Sequence, residues 1–174
     1  MIPVHRSRIS AGMMLHSATR RGELTALLLV SNISPIPFVA QDWCPMGVAD
    51  GPASFNAELT AAGGRVVSVD PLYRFTAEQI AARIDEVFDT VMEQTRANAG
   101  EFVWGPVVAD LDHLARLRRG AMDRFLADYP AGRAAGRYLD GELPELALPD
   151  GSFDLAVCSH FLFLYSDQLD ADFH

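Results

Sequence analysis

The stretch Gly47-Val48-Ala49-Asp50-Gly51-Pro52-Ala53-Ser54-Phe55, answered by Val66-Val67-Ser68-Val69-Asp70, decides the reading of this chain. A turn of small residues opens an amphipathic segment from Pro52 to about Ala62, Gly63-Gly64 ends it, and a short β-branched run delivers a carboxylate. Strand, glycine turn, helix, strand and acid, in that order, are what a nucleotide-binding βαβ unit requires. Glycine lets backbone approach a ligand closely, and the N–H groups at a helix start favour negative charge. Asp70 stands 19 positions after Gly51, about the spacing that puts an acid on a ribose diol. One firm glycine is not GxGxxG, so the same residues also fit a plain strand-turn-helix with a hydrogen-bonded surface Asp.

Upstream, the first core strand is expected at Trp43 to Val48, with Pro45 an irregularity because a central strand uses every N–H. Residues 1–22 carry little periodicity, and 1–40 read as an irregular or weakly structured arm before a domain spanning 41–174. Within that arm Glu23 to Val30 fits a short helix or a buried strand, and Ser34-Pro35-Ile36-Pro37 forces extended or turn backbone.

Downstream, Pro71-Leu72-Tyr73 turns the chain, and Thr76-Ala77-Glu78-Gln79 has the spacing of a capping box. The helix behind it collects Ile80, Ile84, Val87, Phe88, Val91 and Met92 on one face, and Asn98-Ala99-Gly100 suits a left-handed stop. After a short apolar link at Glu101 to Trp104, a second amphipathic helix is expected from about Val107 to Tyr129. Its basic side, Arg116, Arg118, Arg119 and Arg124, fits a solvated helix face or, more sharply, a local surface for an anion or acceptor substrate. Arg137-Tyr138-Leu139 reads as a short strand and Gly141 to Gly151 as a loop. Phe153-Asp154-Leu155-Ala156-Val157-Cys158 is a near-continuous apolar strand, the pattern of a parallel strand buried on both faces. Ser159-His160 end it, and Ser166 suits the cap of a last helix from Asp167.

The 174 residues suit one domain, and 49% apolar with 21% charged residues is ordinary for a globular protein. A net charge of −9 argues against general affinity for nucleic-acid backbone. Cys44 and Cys158, widely separated, make neither a disulfide framework nor a CxxC site, so a reducing cytoplasm is the expected location. The run Leu24 to Val30 is too short to span a bilayer, and Glu23 and Ser31-Asn32 cut it short as a signal peptide despite Arg6, Arg8, Arg20 and Arg21 before it. No membrane association is expected.

In an open parallel sheet, ligands bind beyond the carboxyl ends of the strands, near the point where strand order reverses. The Asp50-Gly51 turn, Asp70, the loop Asp140-Gly141-Glu142-Leu143, and Ser159-His160 converge there. Two carboxylates beside a glycine turn suit a ribose diol with a cationic or neutral moiety more than a bare phosphate, and GxxxxGK[ST] is absent. His160 fits a general base or a hydrogen-bonded structural imidazole. No HExxH or other His/Cys pairing at ligand spacing points to a metal, and Ser54 and Ser159 lack a GxSxG context.

Three stretches carry a resemblance: Asp50 to Glu58, Val69 to Tyr73, and Leu146 to His160 with Phe161 to Tyr165 behind it. Together they resemble class I S-adenosylmethionine-dependent methyltransferases, in particular a bacterial subgroup whose fourth strand ends Cys-Ser-His before Phe-Leu-Tyr. The resemblance spans about Gly47 to His174. It implies a Rossmann-like α/β fold with a partial parallel sheet flanked by helices, S-adenosylmethionine as cofactor, and methyl transfer to an acceptor it does not identify. Gly47, Ala49, Asp50 and Gly51 would then shape the turn around the cofactor's methionine end. Asp70 would bind the ribose hydroxyls, Glu142 and Leu143 would stand at the adenine, and Ser159 and His160 would border methyl transfer as the catalytic pair.

The chain departs from that family in three places. The customary Asp-x-Gly-x-Gly appears as Gly47-x-Ala49-x-Gly51, without the customary acid and with Asp50 as the available substitute. The stretch before Gly47 does not match. The family's core has seven strands, which places further strands beyond His174; without strand five, residues 153–158 are expected to form an apolar edge that pairs in a homo-oligomer. Two other functions fit the sequence: a non-catalytic Rossmann-fold module for binding or assembly, and a nicotinamide-dependent oxidoreductase, which the lack of GxGxxG and Pro52 after the turn disfavour.

Overall fold

Two short strands, Pro45–Val48 and Val67–Val69, build the centre of the sheet. In a computed structural model of the chain, residues 43–158 are described. The arm expected over 1–40, the expected catalytic pair Ser159 and His160, and the helix expected after Ser166 fall outside the described residues. The elements in order are β1 (Pro45–Val48), α1 (Phe55–Ala61), β2 (Val67–Val69), a 3-10 turn (Pro71–Arg74), α2 (Ala77–Ala97), a second 3-10 turn (Ala99–Glu101), α3 (Leu111–Ala134), β3 (Tyr138–Leu139) and β4 (Leu155–Val157). All strand pairs are parallel, and the sheet order is β3-β2-β1-β4. The protein is therefore α/β, a four-stranded parallel sheet flanked by helices. The chain steps one way from β1 to β3, then returns to the far side of β1, so the order reverses between β1 and β4.

Register fixes which residues share a face. Gly47 pairs with Ser68 and Ser68 with Tyr138, so these three form one row, while Val48 and Val69 lie together in the next. Pro45 is tolerated because it is the first residue of its strand. The backbone beside it is clasped by Asp154, whose carboxylate accepts the Cys44 N–H at 2.8 Å and whose own N–H reaches the Cys44 carbonyl at 3.3 Å.

The core lies where α2 and α3 meet the row ending in Tyr138. Tyr73, Ile80, Ile84, Phe125, Tyr129 and Tyr138 form one buried cluster. Its four rings approach in stacked, tilted and edge-to-face pairs, such as Tyr73 and Tyr138 edge-to-face with centroids 5.2 Å apart, an arrangement their quadrupoles favour. The Tyr129 hydroxyl lies 2.9 Å from both the Tyr73 and Phe75 carbonyls, which satisfies its donor inside the core. The capping box is present: Thr76 Oγ1 accepts from the Gln79 N–H at 3.3 Å, and Gln79 Oε1 accepts from the Thr76 N–H at 2.9 Å.

Five expectations are corrected. The first helix starts at Phe55 and not Pro52. Helix α2 does not stop in a left-handed residue; Asn98 has φ −109° and the chain winds on into a 3-10 turn. Helix α3 begins at Leu111 and not Val107, because Asp110 takes the cap and accepts the His113 N–H at 2.7 Å. It then runs past Tyr129, through Pro130, to Ala134. Tertiary anchors on both sides of the proline hold it: Tyr129 within the core, and Gly132 so close to Tyr138 that a Cβ there would stand 2.4 Å from the ring. Two of the four arginines of its basic side are ion-paired: Arg119 with Asp85 of α2 and with Asp123, and Arg124 with Glu58 of α1. Strand β4 is shorter than expected and open to solvent, with Leu155 41% and Val157 38% exposed, because it is the outermost strand of the described sheet. Among the described residues no helix is long and apolar enough to cross a membrane.

Candidate functional site at the carboxyl ends of the strands

The turn after β1 is built from backbone conformations that its sequence does not favour. Ala49 and Gly51 both adopt left-handed φ values of 58°, cheap for glycine and costing about 1 kcal/mol for alanine. Three hydrogen bonds hold the turn in this shape. The Ala49 N–H donates to the Val69 carbonyl at 2.9 Å, the Gly51 N–H to Asp70 Oδ2 at 2.8 Å, and the Tyr73 hydroxyl to the Gly51 carbonyl at 2.9 Å.

Asp70 stands at the end of β2, only 9% exposed. Its Oδ1 caps the following 3-10 turn by accepting the Leu72 N–H at 2.7 Å, so one carboxylate ties the glycine turn to the next element. Burial pushes its carboxyl above the ordinary range, opposed by the two N–H donors and by Arg74.

Asp50 lies between the two left-handed residues. Its carboxylate folds back over β1: a Cβ at position 47 would stand 1.9 Å from Asp50 Oδ2 and 2.6 Å from its Cγ. The carboxylate of residue 50 thus fills the space that a side chain at residue 47 would take. Asp50 Oδ2 accepts the Ser68 hydroxyl at 2.8 Å. Burial pushes Asp50 up to about 6, the Ser68 bond opposing and the Asp70 charge adding. Burial and the same two carboxylates push the Tyr73 phenol far above its ordinary value, so it stays a neutral donor to the turn.

Behind Ser68 a chain of polar side chains crosses α1 and α3. Asn56 Nδ2 donates to Ser68 Oγ at 3.1 Å and to the Arg137 carbonyl at 2.9 Å. Arg137 binds Asn56 Oδ1 and grips Asp128 with both terminal nitrogens, at 2.8 and 2.6 Å. The Tyr138 hydroxyl donates to the same Asp128 at 2.8 Å. Ser54 Oγ, in the turn before α1, is buried and has no hydrogen-bond partner among the described residues.

The loop after β3 approaches β2 closely, since a Cβ on Gly141 would stand 2.9 Å from Val69 Cγ1. Asp140 ion-pairs with Arg74 at 3.2 Å. Glu142 is exposed and Leu143 half-buried in that loop. The structure therefore brings Gly47, Ala49, Asp50, Gly51 and Asp70 into one hydrogen-bonded unit, with Glu142 and Leu143 on the adjoining loop and Cys158 leading out of β4. Among the described residues no group of acids, histidines and cysteines could hold a metal ion.

Sequence reasoning missed Ser68, Asn56 and Tyr73 as parts of this unit. A serine in the middle of a β-branched strand and an asparagine in the first turn of an apolar helix were the available signals, since both residue types compete for backbone bonds unless a partner holds them.

No family model matches the chain, and no solved structure matches it. It is similar to MJ0045, an uncharacterised protein of Methanocaldococcus jannaschii, at 28% identity over 130 residues. That match covers 74% of this chain and 58% of the archaeal protein, so the aligned region spans little more than half the length of its relative.

Proposed function

We propose that the carboxyl ends of β1, β2 and β4 bind S-adenosylmethionine, and that the protein transfers its methyl group to an acceptor. One observation carries this reading: a half-buried carboxylate, Asp50, and a buried one, Asp70, meet at a left-handed turn at the switch point of a parallel sheet. Neighbouring acids that repel each other are relieved by a cation and aggravated by a phosphate. That favours a sulfonium or ammonium ligand with a ribose diol, and disfavours the diphosphate of a nicotinamide dinucleotide. Each Asp70 oxygen accepts a single backbone N–H, and a carboxylate has about four lone-pair positions, so capacity for ribose hydroxyls remains. The left-handed Ala49 and Gly51 bring backbone to the surface of the turn without a bulky side chain, as close approach to a ligand requires.

When bound, S-adenosylmethionine supplies an electrophilic methyl group on a cationic sulfur. The work left to the protein is alignment and exclusion of water. In this reading Asp50 faces the cationic end, Asp70 orients the ribose, Glu142 and Leu143 border the adenine, and Ser159 and His160 flank the acceptor.

A second reading is an assembly module that has kept the fold without the chemistry. The exposed β4 edge favours it, as do the internal partners that both carboxylates already have. Calorimetric titration with S-adenosylmethionine, S-adenosylhomocysteine and oxidised nicotinamide dinucleotide separates the two. Micromolar binding of the first, weakened at least tenfold by Asp70→Asn, is expected. A folded protein that binds none of the three, and forms dimers lost on Val157→Asp, would support the assembly module instead.

A further inference from the structure

The Asp50 carboxylate is held in place by residues that no ligand would touch. Register puts Ser68 directly beside Gly47, and only because residue 47 lacks a side chain can Asp50 lie over it and reach the Ser68 hydroxyl. A serine hydroxyl rotates freely and has one proton to give. Here the Asn56 amide donates to Ser68 Oγ, which occupies a lone pair and leaves the hydroxyl proton to point at Asp50. Asn56 is itself fixed at both ends by Arg137, whose carbonyl it donates to and whose guanidinium it accepts from. Arg137 is in turn locked by Asp128. Ser68 and Asn56 are each only 1% exposed, so neither serves as a contact for a ligand.

We propose that Ser68 and Asn56 are positioning residues for Asp50: Asn56 sets the Ser68 hydroxyl, and Ser68 holds one carboxylate oxygen over Gly47, so that Asp50 meets its ligand in one orientation. The inference rests on the adenosyl-ligand reading above for what Asp50 binds, but not for how Asp50 is held. Among the described residues, none donates to Asp50 Oδ1, which leaves that oxygen for the ligand's cation. The groups that face Asp50 are Ser68 and Asp70 from β2 and its end, Tyr73 from the 3-10 turn, and Gly47 from β1. Asn56 of α1 acts through Ser68. Of these, Ser68 alone donates to the carboxylate and so favours its charged form, whereas Asp70 opposes it.

The test has two readouts on the full chain: the titration of the Asp50 carboxyl carbon by NMR without ligand, and the affinity for S-adenosylmethionine from pH 5 to 8. Ser68→Ala should move the Asp50 midpoint up by about half to one pH unit. It should weaken binding at neutral pH about tenfold, with the pH midpoint of binding displaced in parallel. Asn56→Ala should do the same to a smaller degree, and Ser68→Cys covers the case in which alanine leaves the sheet underpacked. An unmoved Asp50 titration in variants that keep the wild-type circular dichroism overturns the proposal. If the wild type does not bind S-adenosylmethionine, the adenosyl reading fails, and the ligand-free titration still decides how Asp50 is held.

Discussion

Replacing Asp50 by Asn should make the protein more stable at neutral pH while weakening its ligand site. The amide has nearly the shape of the carboxylate and can still accept the Ser68 hydroxyl, but it carries no charge to desolvate. Asp50 titrates at about 6 in the folded protein against an ordinary value of 3.8. Because the folded state holds this proton more tightly than the unfolded chain, Asp50 costs nothing below pH 3.8. Stability is then lost as the pH rises from 3.8 through about 6, and the whole penalty is present above. At about 1.4 kcal/mol per tenfold change in proton affinity, that penalty is about 3 kcal/mol. A weaker bond from Ser68 to an amide trims the gain from Asp50→Asn to about 2 kcal/mol. Urea unfolding at pH 4, 6 and 7.5 measures it, with the gain absent at the lowest pH and largest at the highest. A variant less stable than wild type at pH 7.5, or a difference that does not change with pH, would refute the reasoning. A stabilising substitution that costs ligand affinity is what a residue kept for function should give.

Gly47→Ala places a Cβ on the Asp50 carboxylate; displacing that group and its Ser68 bond should cost about 1–3 kcal/mol and abolish tight ligand binding, and Asp50→Ala in the same chain should restore most of the stability. Phe125→Ala empties the centre of the aromatic cluster, where Phe125 is 0% exposed, and should lower the unfolding free energy by about 3–5 kcal/mol in urea. Arg137→Met leaves Asp128 without its bidentate partner and should cost about 2–4 kcal/mol at neutral pH. Since the Arg137 bond holds the Asp128 carboxyl below the ordinary range, that cost should shrink as the pH falls through it, which denaturation at pH 7 and pH 3 would show.

The elements that local chemistry dictates were legible in the sequence. Thr76 and Gln79 cap α2 as their spacing requires, and the strand-turn-helix-strand from Pro45 to Asp70 appears in its expected order. What was not legible depends on partners far along the chain. Val107 and Val108 look helical, yet Asp110 captures the cap, and Pro130 is carried through α3 by core contacts on either side of it. The apolar run at 153–158 has the pattern of a strand buried on both faces, whereas β4 has a neighbour on one side only among the described strands, the edge position that the resemblance implied. The bond from Asn56 to Ser68, and the grip of Arg137 on Asn56 from 81 residues away, exist only once strand register is set. Position 47 is the sharpest case. The sequence offers Asp50 only as an available substitute for the acid of the resembled turn, and the fold puts its carboxylate in the space that a side chain at 47 would take.

The most direct test of the central claim is retention of methyl-labelled S-adenosylmethionine by the purified chain in equilibrium dialysis, measured from pH 5 to 8. Micromolar affinity that strengthens as the pH rises through about 6, where Asp50 ionises, is the predicted result. No retention at any pH, or affinity that weakens as the pH rises, would contradict it.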